Sequence, residues 1–197
     1  MHLNPIALPL AIDVPLREKR TYVQSASLFD FLVAKTSVNR NIMLSFRRKI
    51  EFEIEAVLAE SCGDAESFPA HFSGEAECGG FDLVIKEKLP LKPLERREAY
   101  DEQAVVADSR IDGLAISSPK GNGASAIDRI VALNKRLILQ TTAPQKTLIF
   151  SKIALSTLPK AHAPLKIALR SRLGVTLFRS SIFDGDREVG EIVFYGT

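Results

Sequence analysis

A single carboxylate stands among apolar residues near the end of the chain, where a charge needs compensation. The stretch from Leu173 to Tyr195 has two arms rich in β-branched and aromatic residues around an Asp-Gly turn, which is the strongest short-range signal for a β-hairpin. In the second arm, Glu191 shares one strand face with two valines and a tyrosine. A buried carboxylate there requires a cation or a ligand, whereas a position at a sheet edge in solvent would remove that requirement.

Cysteine and histidine offer no recognisable reactive centre. Cys62 and Cys78 lack a Cys-x-x-Cys spacing, and two thiols do not make a disulfide scaffold, so a reducing cytoplasm fits best. The histidines have no second metal ligand at helical or hairpin spacing, and they are His2, His71 and His162. We therefore expect neither a metal nor another cofactor.

Composition and charge favour one ordinary globular domain over residues 1–197. The chain is 46% hydrophobic and 25% charged, and its formal net charge of +2 comes from 26 basic and 24 acidic residues. This balance, together with the lack of Trp, argues against a nucleic-acid partner. The apolar N-terminus has no preceding basic region, and no apolar run approaches the roughly 20 residues of a membrane span. We expect a cytoplasmic protein, and its oligomeric state stays open.

The hydrophobic pattern predicts an α+β fold, an antiparallel sheet with helices packed on it. The pattern shows neither a βαβ rhythm nor an internal repeat. The predicted elements are an extended arm (1–22), two short helices (27–46), a strand (49–60), a loop (61–80), strands (81–86 and 111–117), a hairpin (135–155), a helix (156–174) and the terminal hairpin. The stretch 95–108 is open between a short helix and a strand.

Three segments in order resemble one known family. Phe31–Arg40 is similar to a leucine-rich helix end followed by Ser37-Val-Asn. Arg136-Leu-Ile-Leu, a turn and 148–158 are similar to a hairpin that leads into a Ser-Thr-Leu helix start. The third segment is Leu173-Gly-x-x-Leu with the hairpin that ends near Glu191. Together they resemble the chorismate lyase family, whose members remove pyruvate from chorismate to give 4-hydroxybenzoate. The resemblance implies a chorismate lyase-like fold.

The resemblance also implies a site for a small aromatic carboxylate. Arg136 would hold the ring carboxylate through its planar fork, with Arg129 as the alternative if the hairpin register differs. Glu191 in an apolar wall would exchange a proton with the breaking ether oxygen. Residues expected to line the pocket are Val38, Leu173 and Gly174. Because the elimination aromatises the ring, holding the reactive conformer and stabilising charge would suffice, without a cofactor.

Three functions stay open at this point. The first is a lyase acting on chorismate, and the second is a non-catalytic binding module for a small aromatic acid. The third is a hotdog-like or lipocalin-like β domain for acyl chains, in which Arg136 and Glu191 are surface residues. Three departures from the family pattern concern the substrate. Phe150 stands where the family often has an arginine, the segment 61–125 is longer, and the stretch before the last hairpin is shorter.

Overall fold

The computed structural model describes residues 8–18, 20–61, 67–119, 123–142, 147–174 and 176–196. The chain divides into two compact units, Met1–Tyr100 and Asp101–Thr197. The expectation of a single domain over 1–197 stays a prediction. Within the described ranges, no helix is both long and apolar enough to cross a membrane.

The first unit, Met1–Tyr100, is an antiparallel sheet with one long helix. Its elements are β1 (Leu10–Ile12), β2 (Leu16–Arg17), α1 (Ser25–Thr36), β3 (Arg40–Phe46), β4 (Ile54–Leu58), a 3₁₀ turn (Ala59–Ser61), β5 (Ala70–Ala76), β6 (Gly79–Glu87) and β7 (Arg97–Glu98). The sheet order in this unit is β1-β4-β6-β5-β3. Strands β2 and β7 form a separate parallel pair.

Helix α1 packs on one face of this sheet. The ring of Phe29 meets that of Phe72 on β5 edge to face, with 6.2 Å between the centroids. Leu28 and Leu32 are also fully buried, as their helical spacing predicts. The helix ends at Ser37, which has a left-handed φ of 56° and donates its backbone N–H to the Val33 carbonyl at 2.8 Å. The Phe72 side is therefore the helix-facing side of the sheet.

The second short helix predicted within 27–46 is wrong, because residues 40–46 form β3. Val38, Ile42 and Phe46 are spaced by four. This spacing is about one turn of a helix, and because it is even it also places the residues on one face of a strand. The intervening pattern decides for the strand, since Ile42 and Leu44 are buried and Met43 is only partly so. The left-handed residue Ser37 stops the preceding helix before this segment.

The alternating strand predicted over 49–60 is confirmed as β4, which is shorter. Ile54 and Ala56 are fully buried, and Ala56 is opposite Ile85 of β6. Glu55, on the other face, forms an ion pair with Lys86 at 3.1 Å. The strand predicted at 81–86 is confirmed within β6. The predicted loop 61–80 is wrong from residue 70 onward, where β5 and the start of β6 lie.

The second unit, Asp101–Thr197, also combines an antiparallel sheet with one long helix. Its elements are α2 (Glu102–Val106), β8 (Arg110–Asp112), β9 (Ala115–Ser118), α3 (Ala126–Thr142), β10 (Leu148–Thr157), β11 (Leu165–Leu173), β12 (Leu177–Asp184) and β13 (Arg187–Gly196). The sheet order in this unit is β10-β13-β12-β11-β9-β8. The terminal hairpin is confirmed: Asp184 is opposite Arg187, and Gly185 takes the positive φ of 61° that the turn requires.

Two predictions in this unit are wrong, the hairpin over 135–155 and the helix from 156. Residues 126–142 form α3, capped by the Ser125 hydroxyl oxygen, which accepts from the Asp128 backbone N–H at 3.0 Å. Residues 156–157 continue β10, and 165–173 form β11, with Leu165 and Ile167 buried and Lys166 between them exposed. The period-two burial in β11 rules out the predicted helix.

When the short elements β2, β7, α2, β8 and the 3₁₀ turn are set aside, both units have one order of elements: strand, long helix, then four strands. In the first unit these are β1, α1 and β3–β6, and in the second they are β9, α3 and β10–β13. The sequence pattern gave no sign of this repeat. The arrangement replaces the chorismate lyase-like fold that the resemblance implied.

Candidate active site

Arg136, predicted as the anchor of a ring carboxylate, lies on α3 and bonds to the end of α2. Its Nη1 donates to the Val106 carbonyl at 2.6 Å and to the Ser109 hydroxyl at 3.0 Å. A carbonyl in the last turn of a helix is a favourable partner for a cation. The contacts of Arg136 therefore fix α2 against α3.

Glu191, predicted as the opposing carboxyl, lies on β13 between two cations. Its carboxylate is 4.0 Å from the Lys152 Nζ and 3.7 Å from the Arg179 Nε. About one third of its side chain is exposed, at 36%. Two partly exposed cations thus compensate the carboxylate that the sequence placed among apolar residues.

The structure does not bring Arg136 and Glu191 together. Arg129 of α3 reaches the Ser118 hydroxyl, which marks the helix-facing side of the second unit's sheet. The register from β9 to β13 puts Ser118, Leu165, Ile182 and Gly190 on that side. Glu191 follows Gly190 and therefore points to the opposite face, away from the helix that carries Arg136.

Arg129, the alternative to Arg136, is almost fully buried. Its Nη1 donates to the carbonyls of Ala161 and Ala163, each at 2.9 Å, and its Nη2 donates to Ser118 Oγ at 3.3 Å. Burial removes water from the guanidinium and lowers the pKa of Arg129. Its Nε has no hydrogen-bond partner in the part of the chain that the structure describes. The side chain connects α3 and β9 to the link between β10 and β11.

The predicted pocket-lining residues fall in both units. Val38 is buried in the first unit, where its Cβ would lie 3.1 Å from a Cβ added to Gly74. Leu173, at the end of β11, is 71% exposed, and Gly174 follows it with a φ of 58°. Their predicted role as lining residues, like the catalytic role predicted for Arg136 and Glu191, stays a prediction.

A histidine and an aspartate that the sequence reading left aside form a close pair in the first unit. His71 Nε2 on β5 lies 2.5 Å from Asp82 Oδ1 on β6. His71 is opposite Val84 in the ladder, and Asp82 is opposite Ser73, so the two side chains meet along a diagonal of one sheet face. A carboxylate accepts a hydrogen bond from the imidazole N–H, so this contact orients the ring through Nε2.

The face that carries His71 and Asp82 is the one opposite α1, because Phe72, which packs on the helix, has the alternate parity. The histidine side chain is 21% exposed and the aspartate 65%. Ser45 is opposite His71 across β3 and β5, and Met43 is opposite Ser73. The His71–Asp82 pair, called the dyad below, is thus accessible. The hydroxyls of Ser45 and Ser73 and the thioether of Met43 flank it on the same face. Among the described residues, His71 makes its side-chain contact through Nε2 and none through Nδ1.

The sequence held a signal for this pair that the loop assignment missed. In Ala70–Ala76, small and aromatic residues alternate with His71, Ser73 and Glu75, which is the pattern of a half-buried strand. Cys78-Gly-Gly then supplies a turn, with Gly79 at a φ of 132°. A hairpin read across 70–87 would have put His71 and Asp82 on one face.

The described side chains do not form a metal centre. Over the described ranges, no three His, Cys, Asp or Glu residues are grouped so that they could hold a metal ion. Cys78 is exposed and free.

No protein-family model matches the chain. No curated protein matches it either. Among solved structures, the chain is similar to the dehydratase domain of RzxB from Pseudomonas fluorescens, with 10% identity, a TM-score of 0.45, and coverage of 90% of this chain and 85% of that one. It is also similar to a conserved hot dog fold protein from Alicyclobacillus acidocaldarius, with 9% identity, a TM-score of 0.46, and coverage of 90% of this chain and 88% of that one. An acyl-ACP thioesterase from Bacteroides thetaiotaomicron is similar as well, with 11% identity, a TM-score of 0.42, and coverage of 93% of this chain and 95% of that one.

The chorismate lyase assignment, in both family and activity, is wrong. The second segment of the resemblance needs a hairpin from residue 136 and a helix start at 156, and the structure has α3 and an unbroken β10 there. The elimination of pyruvate, the alternative of binding an aromatic acid within a chorismate lyase-like fold, and the aromatic carboxylate substrate are withdrawn with it.

Proposed function

We propose that the first unit carries a proton-transfer site, centred on His71 and Asp82, that hydrolyses the acyl bond of a small thioester. The observation that carries this proposal is the 2.5 Å contact from His71 Nε2 to Asp82 Oδ1, on a sheet face where the histidine is partly exposed. A carboxylate that orients an imidazole is the arrangement by which histidine acts as a general base near neutral pH.

In the proposed step, Nδ1 of His71 takes a proton from a water molecule as its oxygen attacks the thioester carbonyl. The carbon–sulfur bond then breaks, and the imidazolium returns the proton to the leaving sulfur, so that an acid and a thiol are formed. Asp82 stabilises the imidazolium between the two transfers. Ser45 and Ser73, on the same face, supply hydroxyl donors for the developing oxyanion.

A thioester suits this site because its leaving group makes small demands on the protein. A thiol has a pKa of about 8.5, so a thiolate departs far more readily than an alkoxide. Met43, half-buried opposite Ser73, offers an apolar contact for the acyl chain. A cytoplasmic location is part of the proposal, and the free, exposed Cys78 supports it.

The test uses acyl thioesters of N-acetylcysteamine with short and medium chains, and follows release of the thiol by the full chain. The proposal expects turnover that falls by roughly 10²-fold or more in His71→Gln. His162→Gln is the matched control, because His162 is exposed in the second unit between β10 and β11, and it should keep full activity. Equal rates in the wild type and His71→Gln would overturn the proposal. If the protein removes water from a 3-hydroxyacyl thioester and releases no thiol, the proposed reaction is wrong and the site is a dehydratase site instead.

A further inference from the structure

We infer that a pocket in the first unit, separate from the dyad in its lining residues, binds a small zwitterion with an apolar body, such as an apolar dipeptide. The pocket has a volume of about 480 Å³ and lies beside β1. That volume falls within the roughly 300–1,000 Å³ typical of small-molecule sites. Its walls are residues 11–14, 53–54 and 92–96, with Lys88 at the rim.

The two walls of the pocket are fixed by backbone hydrogen bonds. The Glu53 N–H donates to the Lys92 carbonyl at 2.8 Å, and the Leu16 N–H donates to the Arg96 carbonyl at 2.8 Å. Ile12, Val14 and Ile54 are buried beneath the pocket, and its accessible apolar lining comes from Ala11, Pro93 and Leu94. The cavity is therefore preformed, so a ligand does not have to order its walls on binding.

Four of the charged groups around the pocket neutralise one another. Lys88 Nζ lies 3.6 Å from Glu53 Oε2, and Arg96 donates to Asp13 through Nη1 at 2.8 Å and to the Asp13 carbonyl through Nη2 at 3.2 Å. These pairs are partly or well exposed, so they contribute little to stability. They are nonetheless satisfied, and a ligand gains little by competing for them.

Lys92 and Glu95 are the two charges in the lining that have no such partner. Both are exposed, and neither forms an ion pair or a side-chain hydrogen bond within the described ranges of the chain. One ammonium and one carboxylate in a lining that also has apolar side chains complement a ligand that carries one carboxylate, one ammonium and an apolar body between them. A dipeptide of apolar residues has this distribution of charge.

The experiment measures binding of Leu-Leu, N-acetyl-Leu-Leu and Leu-Leu amide to the full chain by titration calorimetry or NMR. Blocking either charge of the dipeptide should weaken binding roughly tenfold. In Lys92→Gln, Leu-Leu and its amide should bind equally, because the carboxylate has lost its partner. In Glu95→Gln, Leu-Leu and its N-acetyl derivative should bind equally. Each variant should keep its selectivity for the other end of the dipeptide.

Lys166→Gln, in the second unit, is the matched control and should bind all three peptides as the wild type does. His71→Gln should also bind them normally, which separates this site from the proposed thioester site. The inference fails if Leu-Leu shows no binding up to its solubility limit. It also fails if Lys92→Gln and Glu95→Gln lower the affinity for the three peptides by the same factor, since that would show no recognition of the ligand's charges.

Discussion

His71 and Asp82 lie one diagonal apart on neighbouring strands, with 2.5 Å between the imidazole Nε2 and the carboxylate Oδ1. The hairpin that joins β5 and β6 fixes this relationship, since seven backbone pairs run along it from Ala70 and Ile85 to Ala76 and Gly79. The alternate residues of both strands face α1 and the core. The pair is thus positioned by a rigid element, while its own face is open to a substrate.

Replacing the carboxylate tests how the imidazole is oriented. In Asp82→Asn, an amide can still accept from Nε2 but no longer stabilises an imidazolium, so thioester hydrolysis should fall roughly 10²-fold in kcat, with KM little changed. Glu75→Gln is the control, since Glu75 shares the face and bonds instead to Asn41. A loss of the same size in both variants would argue against a specific role for Asp82.

Arg129 is expected to stabilise the second unit rather than to take part in a reaction. Arg129→Met would leave the carbonyls of Ala161 and Ala163 and the Ser118 hydroxyl without their donor, and we expect a loss of about 1–3 kcal/mol in the free energy of unfolding. Urea unfolding measures this loss. Arg110→Met, at an exposed position on β8, should stay within about 0.5 kcal/mol of wild type. An unchanged free energy of unfolding in Arg129→Met would show that these contacts contribute nothing to stability.

Gly190 is required by the close approach of β10 to β13. A Cβ at this position would overlap the Ala154 carbonyl oxygen and lie 2.9 Å from the Leu155 Cα, and both of these are backbone atoms that cannot easily move. Gly190→Ala should therefore cost about 2–3 kcal/mol in unfolding free energy. Gly80→Ala is the matched control on β6, where an added Cβ would meet only the Gly74 carbonyl oxygen at 3.9 Å. Equal midpoints for the two variants would contradict this account.

Glu191→Gln separates the sequence-based prediction for this residue from the site proposed here. Lys152 and Arg179 are partly exposed, so loss of the carboxylate should change the unfolding free energy by less than about 1 kcal/mol. Thioester hydrolysis should be unchanged, because Glu191 pairs with Lys152 and Arg179 and has no role in the proposed step. A large loss of turnover with unchanged stability would instead support the catalytic role that the sequence suggested.

The elements that could be predicted from the sequence are those with strong local signals. The terminal hairpin has its Asp-Gly turn, and β4 has an alternation that places Ile54 and Ala56 inward. Helix α3 was missed because the Thr-Thr-Ala-Pro sequence after Gln140 suggested a hairpin turn between two strands. The apolar face of α3, with Ile130, Leu133 and Leu137, gave the opposite signal.

The site was harder to predict than the fold, because its members are made neighbours by strand pairing. Eleven positions separate His71 from Asp82 in the chain, and neither belongs to a motif. Their proximity depends on the register of β5 and β6, and a shift of one residue would turn one of the two side chains to the core face. The role predicted for Glu191 stays a prediction, and its nearby cations come from β10 and β12, which the sequence did not pair with it.

The most direct test asks whether an imidazole at position 71 performs the reaction. His71→Gly should hydrolyse the best acyl thioester at least roughly 10²-fold more slowly than wild type, and added imidazole should restore much of that rate in a saturable manner. In His71→Gln, the glutamine side chain fills the space. Added imidazole should then give no more hydrolysis than the same imidazole and substrate give without protein. Saturable rescue of His71→Gly alone is the result that the account predicts. An unchanged rate in both variants, before any imidazole is added, would contradict it.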